Sequence, residues 1–296
     1  MKPKIIAVVG PTASGKSSLG VWLAKRIQGE SCGAEIISAD SRQVYKGLNI
    51  GTGKVTKKEM GGVKHHLLDV VSPKKQFTVD DFVRLAKRAH SNILQNDRMT
   101  IVVGGTGLYI DMLLGRMAYP NVPPNAALRE RLEQRTTKQL FAQLQKLDTH
   151  RAATIEPGHK RRLIRAIEIA KVVGKSPLPR PEQKYDVLWL GLNPKNLQKN
   201  IRIRLFARIR AGMIREAKKL HEGGLSYKRM EELGLEYRYL ALLLQKKLTK
   251  QEFEVQLERA IRQYAKRQAR WFRRNKDIRW VSGNTEALRL AKEFLH

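Results

Sequence analysis

The sequence is short of cysteine: Cys32 stands alone among 296 residues. A disulfide framework and a cysteine-rich zinc site are therefore excluded, and Cys32 reads as an ordinary buried residue. Acidic side chains are also few, with 27 Asp and Glu against 58 Lys and Arg, a formal net charge of +31. Such an excess predicts salt-dependent attraction to a polyanion. Nucleic acid is favoured over a membrane, because no hydrophobic anchor accompanies the charge. Long apolar runs are missing too. The opening "MKPKIIAVVG" is too short to span a bilayer and carries no small-residue cleavage site, so a cytoplasmic protein is expected. No HExxH-type metal signature is present, and the adjacent His65 and His66 cannot share a helix or strand face. A two-histidine metal site is not expected there, although one of the pair near the active cleft is.

What is present has a clear order. "KIIAVVG", "AEIISAD" and "MTIVVGG" read as buried parallel strands, the first followed by a glycine-rich loop and the helix pattern "KSSLGVWLAKRIQG". "TVDDFVRLAKRAHSNILQN" opens on an N-cap and continues as an amphipathic helix. Alternating strands and helices led by a phosphate loop predict an α/β fold, a P-loop NTPase-like core with a central parallel sheet. From about Pro120 the periodicity is only helical, and the proline-rich "YPNVPP" and "SPLPRPEQ" bracket that stretch. This predicts a helical insertion domain over 118–184, with residues 1–117 and 185–296 forming the core and a helical C-terminal region. "YDVLWLGLNP" returns to strand character and rejoins the sheet.

Four segments carry chemistry. "GPTASGKS" runs through Gly10, Pro11, Thr12, Ala13, Ser14, Gly15, Lys16 and Ser17, and satisfies the P-loop pattern with the required strand before it and helix after it. Backbone N–H groups converge on phosphate oxygens, Lys16 adds a point charge, and the Ser17 hydroxyl suits Mg²⁺. "SADSRQVYKGLNIGTGK" places Asp40 at the carboxyl end of a strand, where ligands bind in open α/β sheets. Asp40 there suits a base or a kinase-type carboxylate for Mg²⁺, and Asp40 or Ser41 alternatively suits a helix cap. "VVGGTGLY" ends a strand in Gly104, Gly105, Thr106 and Gly107, where many ATPases have an Asp, and argues against ATP hydrolysis. "QYAKRQARWFRRN" sets Lys266, Arg267, Arg270, Arg273 and Arg274 around Trp271 and Phe272. The aromatics there are either RNA-stacking groups or core anchors.

Together with "HHLLD" and "RRLIRAIEI", these segments resemble the tRNA dimethylallyltransferases, the isopentenyl transferases that prenylate tRNA, in order and over nearly the whole chain. The resemblance implies transfer of the dimethylallyl group of dimethylallyl diphosphate to N6 of adenosine 37, beside the anticodon, with Mg²⁺. It implies that the P-loop holds the donor's diphosphate, that Asp40 takes the adenine proton, that Ser41, Arg42 and Gln43 hold the base, and that Thr106 lies at the reaction centre. Lys54 and Arg204 would join the diphosphate site. Arg129 and the stretch Arg161, Arg162, Leu163, Ile164, Arg165 would contact the tRNA anticodon stem-loop, with Lys266 and Arg267. A monomer is expected.

Some positions depart from the family pattern. Gly53, Lys54 and Val55 replace Ala-Lys-Pro, keeping the lysine; "NIRIR" has Asn200 in place of a first arginine; and "LGLEYRYL" replaces Gly-Tyr-Lys/Arg-Glu. Arg202, Arg204 and Arg208 all remain open as the arginine that reaches the diphosphate. Competing readings are a nucleotide or small-molecule kinase, an adenylate isopentenyltransferase, and a non-enzymatic RNA-binding module.

Overall fold

A computed structural model describes residues 2–27, 33–117, 120, 122–175 and 182–296. Cys32 lies outside the described residues. The chain divides into two compact units, 1–115 with 183–296, and 116–182.

The larger unit is built on six parallel strands: β1 (Lys4–Val9), β2 (Ala34–Ala39), β3 (His65–His66), β4 (Met99–Gly104), β5 (Asp186–Gly191) and β6 (Arg279–Trp280), in the order β3-β2-β4-β1-β5-β6. The four long strands are those the sequence predicts. The two-residue edge strands β3 and β6 are too short to show any periodicity. β1, β2 and β4 are buried on both faces, as a sheet covered on both sides requires. Ile5, Ala7 and Val9 pack on one side with Phe82, Ile93 and Phe272. Ile6 and Val8 pack on the other with Leu23, Ile36 and Ala287.

The helices of this unit before the insertion are α1 (Lys16–Arg26), α2 (Lys57–Met60), α3 (Val79–Gln95) and α4 (Gly107–Leu113). Thr78 caps α3 and forms a capping box with Asp81, which explains where that helix starts. The smaller unit follows with α5 (Ala126–Glu133), α6 (Thr137–Leu147), α7 (Thr149–Thr154) and α8 (Lys160–Val173), closed around Leu128, Leu140, Leu144, Leu163 and Ile167. The larger unit resumes after β5 with α9 (Leu197–Arg210), α10 (Met213–Glu222), α11 (Tyr227–Leu233), α12 (Leu235–Leu244), α13 (Lys250–Phe272) and α14 (Asn284–Leu295). Helices α9 to α13 contribute to a third apolar cluster with Val44, Tyr45 and Leu48, including Leu205, Met213, Tyr237 and Phe253. This cluster holds the segment after β2 against the helices. No helix among the described residues is long and apolar enough to cross a membrane.

Register sets the site. Val9 of β1 and Ala39 of β2 both pair with Gly104 of β4, so three strands end at one level. The P-loop, the Asp40 turn and the glycine turn all leave the sheet there.

Candidate active site

A cavity of about 690 Å³ opens at these strand ends, lined by the P-loop from Thr12 to Ser18, the Asp40 turn, Gly104 and Gly105, and faces of α9, α12 and α13. All of its walls belong to the larger unit. Gly15 caps α1 in the left-handed region, φ 94°, with no side-chain cap, which leaves the first amides of the helix open to an anion. The Ser14 hydroxyl is buried without a hydrogen-bond partner among the described residues, an acceptor and donor open to a ligand. Gly10 and Pro11 lie behind the lining; the Pro11 carbonyl accepts from Lys16 Nζ at 2.5 Å. Burial pulls the Lys16 ammonium down to a pKa of about 7, opposed by Asp40 and reinforced by Arg204.

Asp40 is half-buried, and its Oδ1 accepts the backbone N–H groups of Arg42 at 2.8 Å and Gln43 at 3.2 Å. No helix follows Asp40: the carboxylate that lines the cavity closes a turn over 41–44 instead of capping a helix. Ser41, Arg42 and Gln43 share the wall, and Gln43 Nε2 reaches the Gly53 carbonyl at 3.4 Å. Thr106 does not line the cavity. Its Oγ1 accepts from the Ser41 N–H at 3.0 Å, so it braces the Asp40 turn. Burial and the Asp40 charge push the Tyr264 phenol up to about 12, which keeps it protonated.

Of the three candidate arginines on α9, Arg204 lines the cavity. Arg208 instead binds the Gly51 carbonyl at 2.7 Å and Glu236 at 3.0 Å, and Arg202 leans towards Glu258 at 3.9 Å. Burial and the neighbouring Arg208 lower the Arg204 pKa, the electrostatic mark of a cation placed for an anion. Asn200 meets the P-loop at Ala13, its Nδ2 3.5 Å from the carbonyl.

Several sequence expectations are corrected. Lys54 does not line the cavity: its buried ammonium donates to the Tyr45 carbonyl at 2.7 Å and to Asp69 at 2.5 Å. A lysine so desolvated takes the nearest carboxylate, and it fixes the loop instead of reaching substrate. His65 and His66 lie on edge strand β3 and neither lines the cavity; His66 meets Glu35 at 2.5 Å. Trp271 and Phe272 are core anchors. Phe272 is buried, and Trp271 packs where a Cβ on Gly107 would stand while donating its indole N–H to Asp111 at 2.8 Å. Arg267 lines the cavity beside Tyr264, whereas Lys266 is exposed elsewhere on α13.

In the smaller unit, Leu163 and Ile164 are buried core residues, so their side chains present nothing to RNA. Arg129 grips the buried Glu168 with two bonds, at 3.0 and 2.7 Å. Arg165 joins the same carboxylate and donates to the Val122 carbonyl at 2.8 Å. Arg161 and Arg162 are exposed.

Several cavity residues escaped the sequence reading, among them Tyr264 and Gln268 on α13. The signal for Gln268 was available: it interrupts the apolar stripe Phe253, Leu257, Ile261, Ala265, Phe272 at helical spacing. A polar group on such a face needs a partner. For a metal, no cluster of three or more His, Cys, Asp or Glu exists among the described residues. The Ser17 hydroxyl and the Asp40 carboxylate are hard oxygen donors in one cavity, the sparse set that suits Mg²⁺ held jointly with phosphate and water.

Comparison with known proteins gives a consistent answer. A family model described as IPP transferase matches residues 43–275. A tRNA dimethylallyltransferase 1 of Geotalea uraniireducens is 39% identical over 100% of this chain and 98% of its own length. A tRNA dimethylallyltransferase of Streptomyces coelicolor is 37% identical over 98% of this chain and 95% of its own. Among solved structures, the full-length tRNA isopentenylpyrophosphate transferase of Bacillus halodurans aligns with a TM-score of 0.74 at 35% identity, covering 99% of this chain and 97% of that one.

Proposed function

Because this chain belongs to the IPP transferase family, we propose that it moves the dimethylallyl group of dimethylallyl diphosphate onto N6 of adenosine 37 of a tRNA. The observation that carries this reading is the composition of one cavity. Lys16, Arg204 and the open amides of α1 face it as an anion site, Asp40 lines it as a carboxylate, and glycines stand where an ATPase has its Asp.

In this reading the allylic C–O bond breaks and its electron pair leaves on the diphosphate. The loop amides, Lys16 and Arg204 hold that growing negative charge, which is stabilisation aimed at the leaving group. The adenine N6 lone pair bonds to the allylic carbon, and Asp40 accepts the N6 proton. The Asp40 turn is held still by Thr106, so the base does not depend on a mobile loop. Ser17 would hold Mg²⁺, which when bound neutralises charge on the diphosphate. The adenine has to leave the anticodon-loop stack to enter the cavity. Exposed Arg161 and Arg162 on α8, and Lys266 and Arg267 on α13, supply phosphate contacts.

The test is incubation with dimethylallyl diphosphate, Mg²⁺ and unmodified tRNA, followed by mass analysis of the nucleosides. A prenylated adenosine is expected. Turnover of ATP without RNA, and no prenylated nucleoside, would overturn the reading in favour of a kinase.

A further inference from the structure

The three loops that meet at the cavity leave the sheet at one level but must hold their positions beyond it. Two of them are tied together by the glycine turn: the Thr106 N–H donates to the Ala39 carbonyl at 3.2 Å, and the Ser41 N–H donates to Thr106 Oγ1 at 3.0 Å. These bonds fix the Asp40 turn on the glycine turn. The link from the glycine turn to the P-loop comes from α13. Gln268 accepts the Thr12 N–H through Oε1 at 2.8 Å and donates from Nε2 to the Gly105 carbonyl at 2.8 Å. The side chain is buried at 7% exposure, and a Cβ on Gly105 would collide with its Nε2. Glycine at 105 therefore leaves the room that the amide occupies.

We propose that Gln268 is a positioning residue that sets the P-loop against the glycine turn, and through Thr106 against the Asp40 turn, so that Lys16 and Asp40 address one substrate. This rests on the prenyl-transfer reading for its kinetic consequence, but the bond pattern stands without it. The chemistry of the two partners is specific. Thr12 offers a donor and Gly105 an acceptor, so the bridging group must present one of each from a planar end. A carboxamide does this. An ionised carboxylate presents two acceptors and faces the Gly105 carbonyl with like partial charge, whereas a protonated one restores the donor. An apolar side chain of similar size leaves a buried N–H and C=O unpaired.

Gln268→Met and Gln268→Glu test this. With the full-length protein, tRNA and dimethylallyl diphosphate, the Met variant is expected to lose about 10²-fold in kcat, the scale of a misplaced catalytic group, beside a lower melting temperature from the two groups left unpaired. For Gln268→Glu, the ratio of its kcat to that of the unmodified enzyme is expected to rise as pH falls, because protonation rebuilds the bridge. Dividing by the unmodified enzyme removes the pH dependence that the rest of the site brings. A flat ratio across the pH range overturns the proposal. So does a melting temperature that carries the pH dependence while kcat does not, since Gln268 would then be a brace of the fold alone. Should the Met variant fail to fold, the Glu ratio decides.

Calorimetric binding of inorganic pyrophosphate to the same variants separates this inference from the functional reading. If the unmodified enzyme prenylates no tRNA, that reading fails. The inference then stands on weakened pyrophosphate binding in Gln268→Met and on binding by Gln268→Glu that recovers at low pH. Unchanged pyrophosphate affinity in both variants overturns it.

Discussion

Arg204 in the larger unit and Arg129 in the smaller do opposite work. In the larger one, Arg204 lines the cavity with no carboxylate bonded to it among the described residues, and its charge is held beside Lys16 and Arg208 at a cost. In the smaller one, Arg129 and Arg165 converge on Glu168, which is 1% exposed and also accepts the Asn125 N–H at 2.6 Å. Those bonds hold the Glu168 carboxyl below its usual range even though burial alone pushes it up. The first arrangement stores unneutralised positive charge for an incoming anion. The second spends its charge on joining α5 to α8. A count of basic residues sees no difference between them.

Asp40→Asn gives the sharpest break on the cavity side. The amide oxygen still accepts from Arg42 and Gln43, so the turn is kept while the base is lost. Prenyl transfer is expected to fall by about 10² to 10⁴-fold, the usual worth of a positioned base, with tRNA affinity unchanged in a filter or shift assay. Substantial transfer by this variant would remove Asp40 from the base role. Asp40→Ala should lose transfer equally and, in addition, about 1 kcal/mol of stability for the lost acceptor of the Arg42 and Gln43 N–H groups.

Arg204→Leu and Arg129→Leu then set the two kinds of arginine side by side. Arg204→Leu should lower kcat by about 10²-fold, as removal of one charge-stabilising group does, and leave the denaturation midpoint in place. Arg129→Leu should do the reverse: a lower midpoint, with kcat preserved at saturating tRNA. Equal kinetic losses in both variants would mean that burial and pairing do not distinguish catalytic from structural arginine here.

Glu168→Leu probes the same contrast from the acid's side. Removing one partner of a buried pair costs about 3–5 kcal/mol. Because the Arg129 and Arg165 side chains remain 34% and 32% exposed and can rehydrate, the lower end, about 3 kcal/mol, is expected from urea denaturation. A loss below about 1 kcal/mol would make the cluster an ordinary surface network.

These contrasts also explain what the sequence made legible. The four long strands, the P-loop and the Asp40 turn were readable because each is local: a short apolar run, a glycine spacing, a strand end. The placement of Lys54 was not readable, since its partner Asp69 is fifteen residues away and arrives through the fold. Arg165 was readable in principle, with Glu168 one helical turn on, but only its burial turns that pair from a solvated contact into an anchor. Leu163 and Ile164 form one stretch with their arginine neighbours in sequence, but the helical period sends them to the opposite face. Gln268 needed the register of β1, β2 and β4 to acquire meaning, because its two partners come from loops more than ninety residues apart in the chain.

The smallest effect expected is a pH dependence that belongs to the cavity alone. Lys16 has its pKa lowered to about 7 by burial, with Arg204 adding to the shift and Asp40 opposing it. Below that pH the ammonium is charged, and it meets a diphosphate without change. Above it the lysine is neutral, and binding an anion that favours the charged form draws in a proton. Affinity for the donor should therefore fall as pH rises above about 7, by up to about tenfold per pH unit, until the pKa of the complexed lysine is passed. Lys16→Arg keeps the charge at every accessible pH and should flatten that slope, even if its geometry weakens binding overall. Calorimetry in two buffers of different ionisation enthalpy reads the proton directly. Uptake should appear at pH 8 in the unmodified protein and vanish in Lys16→Arg. Uptake that persists in the arginine variant would assign the proton to another group of the complex, the diphosphate itself included, and would leave Lys16 as a permanently charged lysine like those on the solvated surface.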